Sequence, residues 1–212
     1  MLLLLDLDNT LVDRERAFRE WAADFVAEIG GNSNDEEWLI VADANGYTPR
    51  ETLARDIRSR FELAAPVVAL VDRLLFDHVA AVACYPGVVD KLEELRCAGD
   101  RLVIVTNGTT AQQTMKLRRA GLSSLVDDVI ISESVGMRKP EPAIFRHAMR
   151  DHTHNAAVWM VGDNADADIR GAQKVGLLTG WVSHNLRWDG VESPTVSQPT
   201  TALVLEQILH GR

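Results

Sequence analysis

Acidic, hydroxyl, amide and lysine side chains follow the short apolar runs of this sequence. The runs are Leu2–Leu5, Leu102–Val105, Val129–Ile131 and Val158–Val161. The polar residues that come after them, in one case after a loop, are Asp6, Asp8, Thr106, Asn107, Lys139, Asp163, Asp166 and Asp168. The carboxyl ends of parallel strands meet at one edge of a sheet, where ligands bind. If each run is a parallel strand, these side chains converge on one crevice.

Three of the carboxylates, Asp6, Asp8 and Asp163, would repel one another strongly in a single crevice. Like charges a few ångströms apart raise one another's pKa values or require a cation. Carboxylate oxygens suit Mg²⁺, which usually keeps places for water or phosphate oxygens. A divalent cation together with Lys139 would balance the carboxylates and leave room for a phosphoryl group. The pattern therefore predicts a Mg²⁺ site that handles phosphate.

Asp6 and Asp8 stand two residues apart, so their side chains share a direction only if the chain is still extended there. One carboxylate can attack phosphorus to form an acyl phosphate, while the other protonates the leaving oxygen and later deprotonates water. The Thr106 hydroxyl, the Asn107 backbone N–H and Lys139 would hold the phosphoryl oxygens and stabilise charge in the transition state.

The apolar runs that carry these residues are short, rich in leucine and β-branched residues, and not alternating, which is typical of parallel strands covered on both faces. A weaker run follows at Leu177–Val182, and helical patterns lie between most of the runs. This alternation indicates an α/β fold with a doubly wound, Rossmann-like parallel sheet. Glu192–Thr201, rich in Ser, Pro and Thr, is predicted to be a loop, and Leu203–Leu209 a final helix.

One long segment, residues 14–82, breaks the alternation because it shows helical periodicity and no convincing strand. Its first apolar stripe has the spacing of one helix face and comprises Phe18, Trp21, Ala22, Phe25, Val26 and Ile29. Thr48-Pro49-Arg50-Glu51 has the pattern of a capping box and predicts a helix start. We therefore expect a helical cap domain, residues 14–82, inserted into a catalytic core of residues 1–13 and 83–212.

Composition excludes some functions and locations. The net charge is −9 at pH 7, and so acidic a chain has no electrostatic footprint for nucleic acid. No apolar stretch approaches the roughly 20 residues of a membrane span, and the N-terminal run is too short for a signal peptide. Cys84 and Cys97 are interpreted as buried thiols, so a reducing cytoplasm is expected. His152-Thr153-His154 is interpreted as an exposed turn.

Four segments resemble, in their order, the motifs of the haloacid dehalogenase-like (HAD) hydrolase superfamily. They are Asp6-Leu7-Asp8-Asn9-Thr10-Leu11, Thr106-Asn107-Gly108, Lys139-Pro140 and Gly162-Asp163-Asn164-Ala165-Asp166-Ala167-Asp168. The resemblance spans nearly the whole chain. The helical insertion resembles the α-helical cap of the phosphoglycolate phosphatase-like branch of that superfamily.

The resemblance implies a role for each matching residue of the first three motifs. Asp6 would be the nucleophile and a Mg²⁺ ligand. Asp8 would be the general acid/base, with its backbone carbonyl on the metal. Thr106 and Lys139 would be the catalytic pair that binds the phosphoryl group.

The fourth motif implies further metal ligands. Asp163 would bind Mg²⁺ directly, whereas Asp168 would either reach the metal through water or hold Lys139. Asp166 receives no role. Many members have glycine where Asn9 stands here, and asparagine tolerates a left-handed backbone better than most residues.

The expected function is that of a cytoplasmic, Mg²⁺-dependent phosphatase, monomeric or homodimeric. It would hydrolyse a small phosphorylated metabolite through an aspartyl phosphate on Asp6. Three alternatives stay open: a phosphosugar mutase, a 2-haloacid dehalogenase and a non-catalytic binding module on the same fold. The dehalogenase branch lacks the second aspartate of the first motif, so Asp8 favours phosphoryl chemistry. The sequence names no substrate, and specificity is expected to come from the cap and nearby loops.

Overall fold

The computed structural model describes residues 1–152 and 156–211, so Thr153 and His154 of the predicted turn lie outside the described residues. The chain divides into two units, one of residues 1–13 and 84–212 and the other of residues 14–83. Each unit has a buried apolar cluster of its own. In the part of the chain that the structure describes, no helix is long and apolar enough to cross a membrane.

The first unit contains a parallel sheet. Its strands are β1 (Leu2–Leu5), β2 (Arg101–Thr106), β3 (Asp128–Ile131), β4 (Val158–Gly162), β5 (Leu178–Val182) and β6 (Val196–Gln198). They lie in the order β3-β2-β1-β4-β5-β6, and all neighbouring pairs are parallel. The direction of winding changes between β1 and β4, which is where a doubly wound sheet opens a crevice for ligands.

The register brings the ends of the three central strands level with one another. Leu5 of β1 is aligned with Ile104 of β2 and with Val161 of β4. The residues that follow these strands therefore lie at the same edge of the sheet. This sheet confirms the predicted α/β, doubly wound fold class.

The helices begin and end as follows. They are α1 (Arg14–Glu28), α2 (Ser33–Asp43), α3 (Arg50–Arg60), α4 (Val67–Phe76), α5 (Val88–Cys97), α6 (Thr110–Arg119), α7 (Ser132–Val135), α8 (Pro142–Ala148), α9 (Gly171–Gln173) and α10 (Thr201–His210). Leu2 and Leu4 of β1 pack into one apolar cluster with Ile144 and Phe145 of α8. Gly180 of β5 lacks a side chain where α10 packs, since a Cβ there would lie 2.6 Å from Val204 Cγ1.

The second unit, residues 14–83, is helical throughout its regular elements, and the predicted stripe on α1 forms the centre of its core. A buried ion-pair network joins three of its elements. Arg14 Nη1 lies 2.5 Å from Asp43 Oδ2, and Arg50 Nη1 lies 2.7 Å from Asp43 Oδ1. The Gly46 N–H also donates to Asp43 Oδ2 at 2.8 Å. Burial alone would raise the pKa of Asp43, but the Arg14 and Arg50 guanidiniums outweigh burial and lower it.

The predicted capping box at Thr48 was wrong. Helix α3 begins one residue later than a Thr48 cap requires, with Pro49 in the N-cap position and no side-chain cap. The Thr48 hydroxyl instead donates to the carbonyl of Ala42 at 2.6 Å. The Thr48 hydroxyl thus bonds to the last turn of helix α2 and is not available to cap α3.

Two further predictions, the burial of the cysteines and the loop Glu192–Thr201, were wrong. Cys97 is exposed and Cys84 is half-buried, so neither is the fully buried thiol that was expected. The segment Glu192–Thr201 is not wholly loop, because Val196–Gln198 forms strand β6 and Thr201 opens α10. Strand β6 is short and lies at the sheet edge, where polar residues are tolerated because one side of the strand has no neighbour.

Candidate active site

The candidate site lies where β1 ends, between the ends of β2 and β4. Asp6 is the first residue after β1, and its backbone N–H donates to the Val161 carbonyl at 2.9 Å, which holds it beside β4. Its side chain is buried, with 8% of the residue exposed. The strand thus delivers a carboxylate to the edge of the sheet and withdraws it from bulk water.

A buried lysine joins Asp6 to the fourth motif. Lys139 Nζ lies 2.5 Å from Asp6 Oδ1 and 2.8 Å from Asp168 Oδ1. Asp168 Oδ2 accepts a hydrogen bond from the Asn164 N–H at 3.1 Å. Gly162 leaves the room for this arrangement, because a Cβ there would lie 2.2 Å from Asp168 Oδ2. The sequence left two roles open for Asp168, to reach the metal through water or to hold Lys139. In the structure, its carboxylate contacts Lys139.

Asp163 approaches Asp6 through a shared hydroxyl. The Thr10 hydroxyl lies within hydrogen-bond distance of both carboxylates, 3.3 Å from Asp6 Oδ2 and 3.2 Å from Asp163 Oδ1. Thr10 is brought there by a turn in which Asn9 takes a left-handed backbone conformation, with φ of 56°. The Asp163 carbonyl accepts from the indole N–H of Trp181 at 2.8 Å, which fixes the start of its loop.

Burial and mutual repulsion perturb this acidic cluster. Burial, opposed by Lys139 and reinforced by Asp168, raises the pKa of Asp6 from 3.8 to about 7. Burial together with the charges of Asp6 and Asp168 raises the pKa of Asp163 well above its ordinary value. Burial would lower the pKa of Lys139, but the ion pairs with Asp168 and Asp6 outweigh it and raise that pKa.

The same cluster has the composition of a site for a hard divalent cation. One carboxylate oxygen each from Asp6, Asp163 and Asp168 lie within 4.8 Å of one another. Lys139 supplies one positive charge against three carboxylates, so the fully ionised group carries an excess of negative charge. Oxygen donors and excess negative charge fit Mg²⁺.

Asp8 has different surroundings from Asp6. Lys116 Nζ, on helix α6, lies 2.8 Å from Asp8 Oδ1 and 2.7 Å from Asp8 Oδ2. Gln113 Nε2, one turn earlier on α6, donates to Asp8 Oδ2 at 3.0 Å. The Asp8 side chain is 24% exposed, so the protein does not enclose it fully. Asp6 and Asp8, two residues apart, thus have separate lysine partners.

The second motif is tied both to α6 and to the Lys139 loop. Thr106, the last residue of β2, is buried, and its Oγ1 lies 2.7 Å from Gln113 Nε2. The Asn107 side chain donates to the Lys139 carbonyl at 2.9 Å and accepts from the Lys139 N–H at 2.9 Å. That side chain is therefore used to hold the lysine loop, which leaves only its backbone N–H for the phosphate role expected of Asn107.

The sequence-predicted residues therefore fall into two linked groups. Asp6, Lys139, Asp163 and Asp168 form one group, and Asp8 and Thr106 are joined by Gln113 in the other. Asp166, to which no role was given, is exposed and pairs with Arg170. Gln113 and Lys116 were not among the residues predicted from the sequence. A signal was available, because residues 113, 116 and 117 have the spacing of a buried helix face, yet two of the three are polar.

Comparison with known proteins decides the family. The profile of the haloacid dehalogenase-like hydrolases matches residues 3–182. The chain belongs to this family. The predicted resemblance and the expectation of a hydrolase are thus confirmed, and the four motifs quoted from the sequence lie within the matched range.

Individual members of the HAD family resemble this chain over most of its length. It is 40% identical over 173 residues to the glyceraldehyde 3-phosphate phosphatase of Methanopyrus kandleri, which covers 81% of this chain and 67% of that protein. It is 31% identical over 210 residues to the ribulose-1,5-bisphosphate 5-phosphatase of Halopiger xanaduensis, covering 90% and 87%. The crystal structure of the HAD hydrolase YfnB of Bacillus subtilis bound to magnesium matches with a TM-score of 0.76 and 25% identity, covering 99% and 96%.

Proposed function

We propose that this HAD hydrolase is a Mg²⁺-dependent phosphatase that acts on a small phosphorylated metabolite through an aspartyl phosphate on Asp6. The observation that carries the proposal is the contrast between two carboxylates that are two residues apart. Asp6 lies in a buried acidic cluster with Lys139, whereas Asp8 lies outside that cluster against Lys116. Carboxylates in such different environments can take different roles in one reaction, and a cation beside Asp6 would favour its ionised, attacking form.

The proposed reaction has two steps. An Asp6 oxygen attacks phosphorus, the bond from phosphorus to the ester oxygen breaks, and the leaving oxygen takes a proton from the Asp8 carboxyl. A water molecule then gives a proton to Asp8 while its oxygen attacks phosphorus, which releases inorganic phosphate and restores the Asp6 carboxylate. Thr106, the Asn107 backbone N–H and Lys139 would hold the phosphoryl oxygens during both steps.

Asp6, Asp163 and the backbone carbonyl of Asp8 are proposed to hold Mg²⁺. Asp168 is assigned an outer position, because both of its oxygens are engaged, Oδ1 by Lys139 and Oδ2 by the Asn164 N–H. When bound, Mg²⁺ would neutralise negative charge on the carboxylates and on the phosphoryl group. The YfnB structure, which holds magnesium, supports the choice of cation.

The helical insertion, residues 14–82, is proposed to be the cap that selects the substrate. The phosphatases of sugar phosphates among the relatives support a small, anionic metabolite as that substrate. A cytoplasmic location, and a monomeric or homodimeric state, stay predictions from the sequence.

Hydrolysis of phosphate esters tests the proposal. The purified chain would be assayed with p-nitrophenyl phosphate, glyceraldehyde 3-phosphate and ribulose 1,5-bisphosphate, with millimolar Mg²⁺ and with chelator. We expect Mg²⁺-dependent phosphate release, and a loss of at least about a thousandfold in Asp6→Asn. Asp166→Asn is the matched control, because that aspartate is exposed and outside the cluster. No phosphate release from any ester, or an active Asp6→Asn, would contradict the proposal.

Binding of the metal can be measured without turnover. Mg²⁺ at about 100 times its dissociation constant should stabilise the fold by about 2.7 kcal/mol. Thermal melting of wild type and Asp163→Asn, each with and without Mg²⁺, measures this effect. We expect the stabilisation in wild type and little of it in the variant. An equal Mg²⁺ effect in both would remove Asp163 from the metal site.

A further inference from the structure

Helix α6 presents two polar side chains to the interior of the first unit. Gln113 is 1% exposed and Lys116 is 2% exposed. Burying an amide and an ammonium is unfavourable unless both are paired. Their partners are the proposed acid/base and the proposed phosphoryl-binding hydroxyl, so their burial serves the site rather than the hydrophobic core.

Lys116 holds the Asp8 carboxylate in place. Its ammonium is within 2.8 Å of both Asp8 oxygens, and its side chain is only 3% exposed. A charge-assisted contact to both oxygens restricts rotation of the carboxylate more than a single hydrogen bond would. Asp8 is thereby held in one orientation.

Gln113 links Asp8 to Thr106. One amide nitrogen donates to Asp8 Oδ2 at 3.0 Å and to Thr106 Oγ1 at 2.7 Å. A hydroxyl that accepts a hydrogen bond from an amide keeps its own hydrogen for another acceptor. Gln113 therefore prepares the Thr106 hydroxyl to donate, which is what an incoming phosphoryl oxygen requires.

Gly108, in the second motif, makes room for this glutamine. It has φ of 148°, and a Cβ there would lie 3.0 Å from both Gln113 Cδ and Cγ. The loop after β2 is thus shaped around the Gln113 side chain. The Gly108 backbone therefore lies against Gln113, and Gln113 and Lys116 of α6 both contact Asp8.

We propose that Gln113 and Lys116 are positioning residues that hold the acid/base Asp8 and the phosphoryl donor Thr106 in a fixed relation. Lys116 acts through Asp8, and Gln113 acts through both. This inference rests on the proposed function, because it assigns how two of its groups are kept in place.

Steady-state kinetics of α6 variants tests the inference. Lys116→Met and Gln113→Met keep the length of the side chains and remove the contacts, and Arg118→Met removes an exposed positive charge from the same helix as a control. With p-nitrophenyl phosphate and saturating Mg²⁺, we expect kcat to fall about 10- to 100-fold in the first two variants, with KM changed by less than about threefold. Arg118→Met should match wild type.

Two further measurements separate positioning from a general structural role. Lys116→Arg keeps the positive charge beside Asp8 and should lose less kcat than Lys116→Met, although the larger guanidinium does not reproduce the geometry of the ammonium. Adding Lys116→Met to Asp8→Asn should change the residual rate by less than about threefold, because Lys116 acts through Asp8. If Lys116→Met does not fold, the uncharged change Gln113→Met and the Lys116→Arg variant test the same arrangement.

The possible outcomes distinguish the inference from the proposed function. A wild-type chain that hydrolyses no phosphate ester would refute the proposed function and this inference with it. An active wild type together with folded Gln113→Met and Lys116→Met variants of unchanged kcat would refute the inference alone. Equal losses in Lys116→Met and Arg118→Met would also refute it, because they would show an effect of net charge rather than of the Asp8 contact.

Discussion

Removing the proposed nucleophile should stabilise the metal-free fold at neutral and alkaline pH. Asp6 lies in a buried cluster with Asp163 and Asp168, and Lys139 supplies one positive charge against the three carboxylates. Asp6→Asn keeps the shape of the side chain and removes one negative charge. Lys139 retains Asp168 as its partner in the variant, so the substitution leaves no unpaired buried ammonium.

The size of the effect follows from the raised pKa of Asp6. A shift from 3.8 to about 7 is about three pH units, and each is equivalent to 1.36 kcal/mol. Ionised Asp6 therefore destabilises the metal-free fold by about 4 kcal/mol at pH 8. At pH 5 the folded state keeps the proton and the unfolded state has lost it, so the penalty is only about 2 kcal/mol.

The sign is that of an acid whose pKa is raised by folding. Between pH 3.8 and about 7 the folded state binds more protons than the unfolded state, so the stability of the wild type falls as pH rises through that window. Above that window, the ionisation of Asp6 causes no further change in the stability of the wild type. Asp6→Asn lacks this dependence, and its advantage over wild type should grow from pH 5 to pH 8.

Urea unfolding in the presence of chelator measures the effect. The free energies of unfolding of wild type, Asp6→Asn and the exposed control Asp166→Asn would be compared at pH 5 and pH 8. We expect Asp6→Asn to gain about 2–3 kcal/mol on wild type between the two pH values, and Asp166→Asn to gain nothing. A variant that is less stable than wild type at pH 8, or a difference that does not change with pH, would refute the reasoning.

Two other substitutions test buried contacts elsewhere. Asp43→Asn would leave Arg14 and Arg50 without their shared carboxylate, and we expect a loss of about 3–5 kcal/mol in urea unfolding at pH 7. Because folding lowers the pKa of Asp43, that contribution should be present at neutral pH and disappear only as pH falls below about 3.8. Gly162→Ala would place a Cβ 2.2 Å from Asp168 Oδ2, so it should lower kcat at least about tenfold by displacing that carboxylate from the site. Wild-type kcat in a folded Gly162→Ala variant would show that the position of Asp168 does not matter for turnover.

The fold was predictable because its strongest signals are local. β1 and β4 are apolar along their length and buried on both faces, so the run of residues alone marks them as central parallel strands. β6, with only three residues at the sheet edge, carries no such pattern and was missed. The capping box at Thr48 was predicted wrongly for another reason. The Thr48 hydroxyl had two possible backbone partners, and the sequence pattern contains no information about which one lies nearer.

The candidate site was predictable only for residues that follow strands. Asp6, Thr106 and Asp163 could be placed together because the carboxyl ends of parallel strands share one edge. Gln113 and Lys116 lie on a helix, where polar residues are usually solvated, and their burial depends on how α6 packs beneath the Thr106 loop. The side-chain partner of Asp8 was likewise a matter of tertiary packing.

The separate lysines of Asp6 and Asp8 explain how the chain can use both carboxylates. Asp6 shares Lys139 with Asp168, so the ionised cluster carries an excess of negative charge, which protonation of Asp6 or a bound cation would relieve. Asp8 pairs with Lys116 and is not one of the three carboxylates whose oxygens lie within 4.8 Å of one another, although its charge contributes to the raised pKa of Asp6. Because the partners differ, the proposed cation site can be filled without breaking the contact between Asp8 and Lys116 of α6.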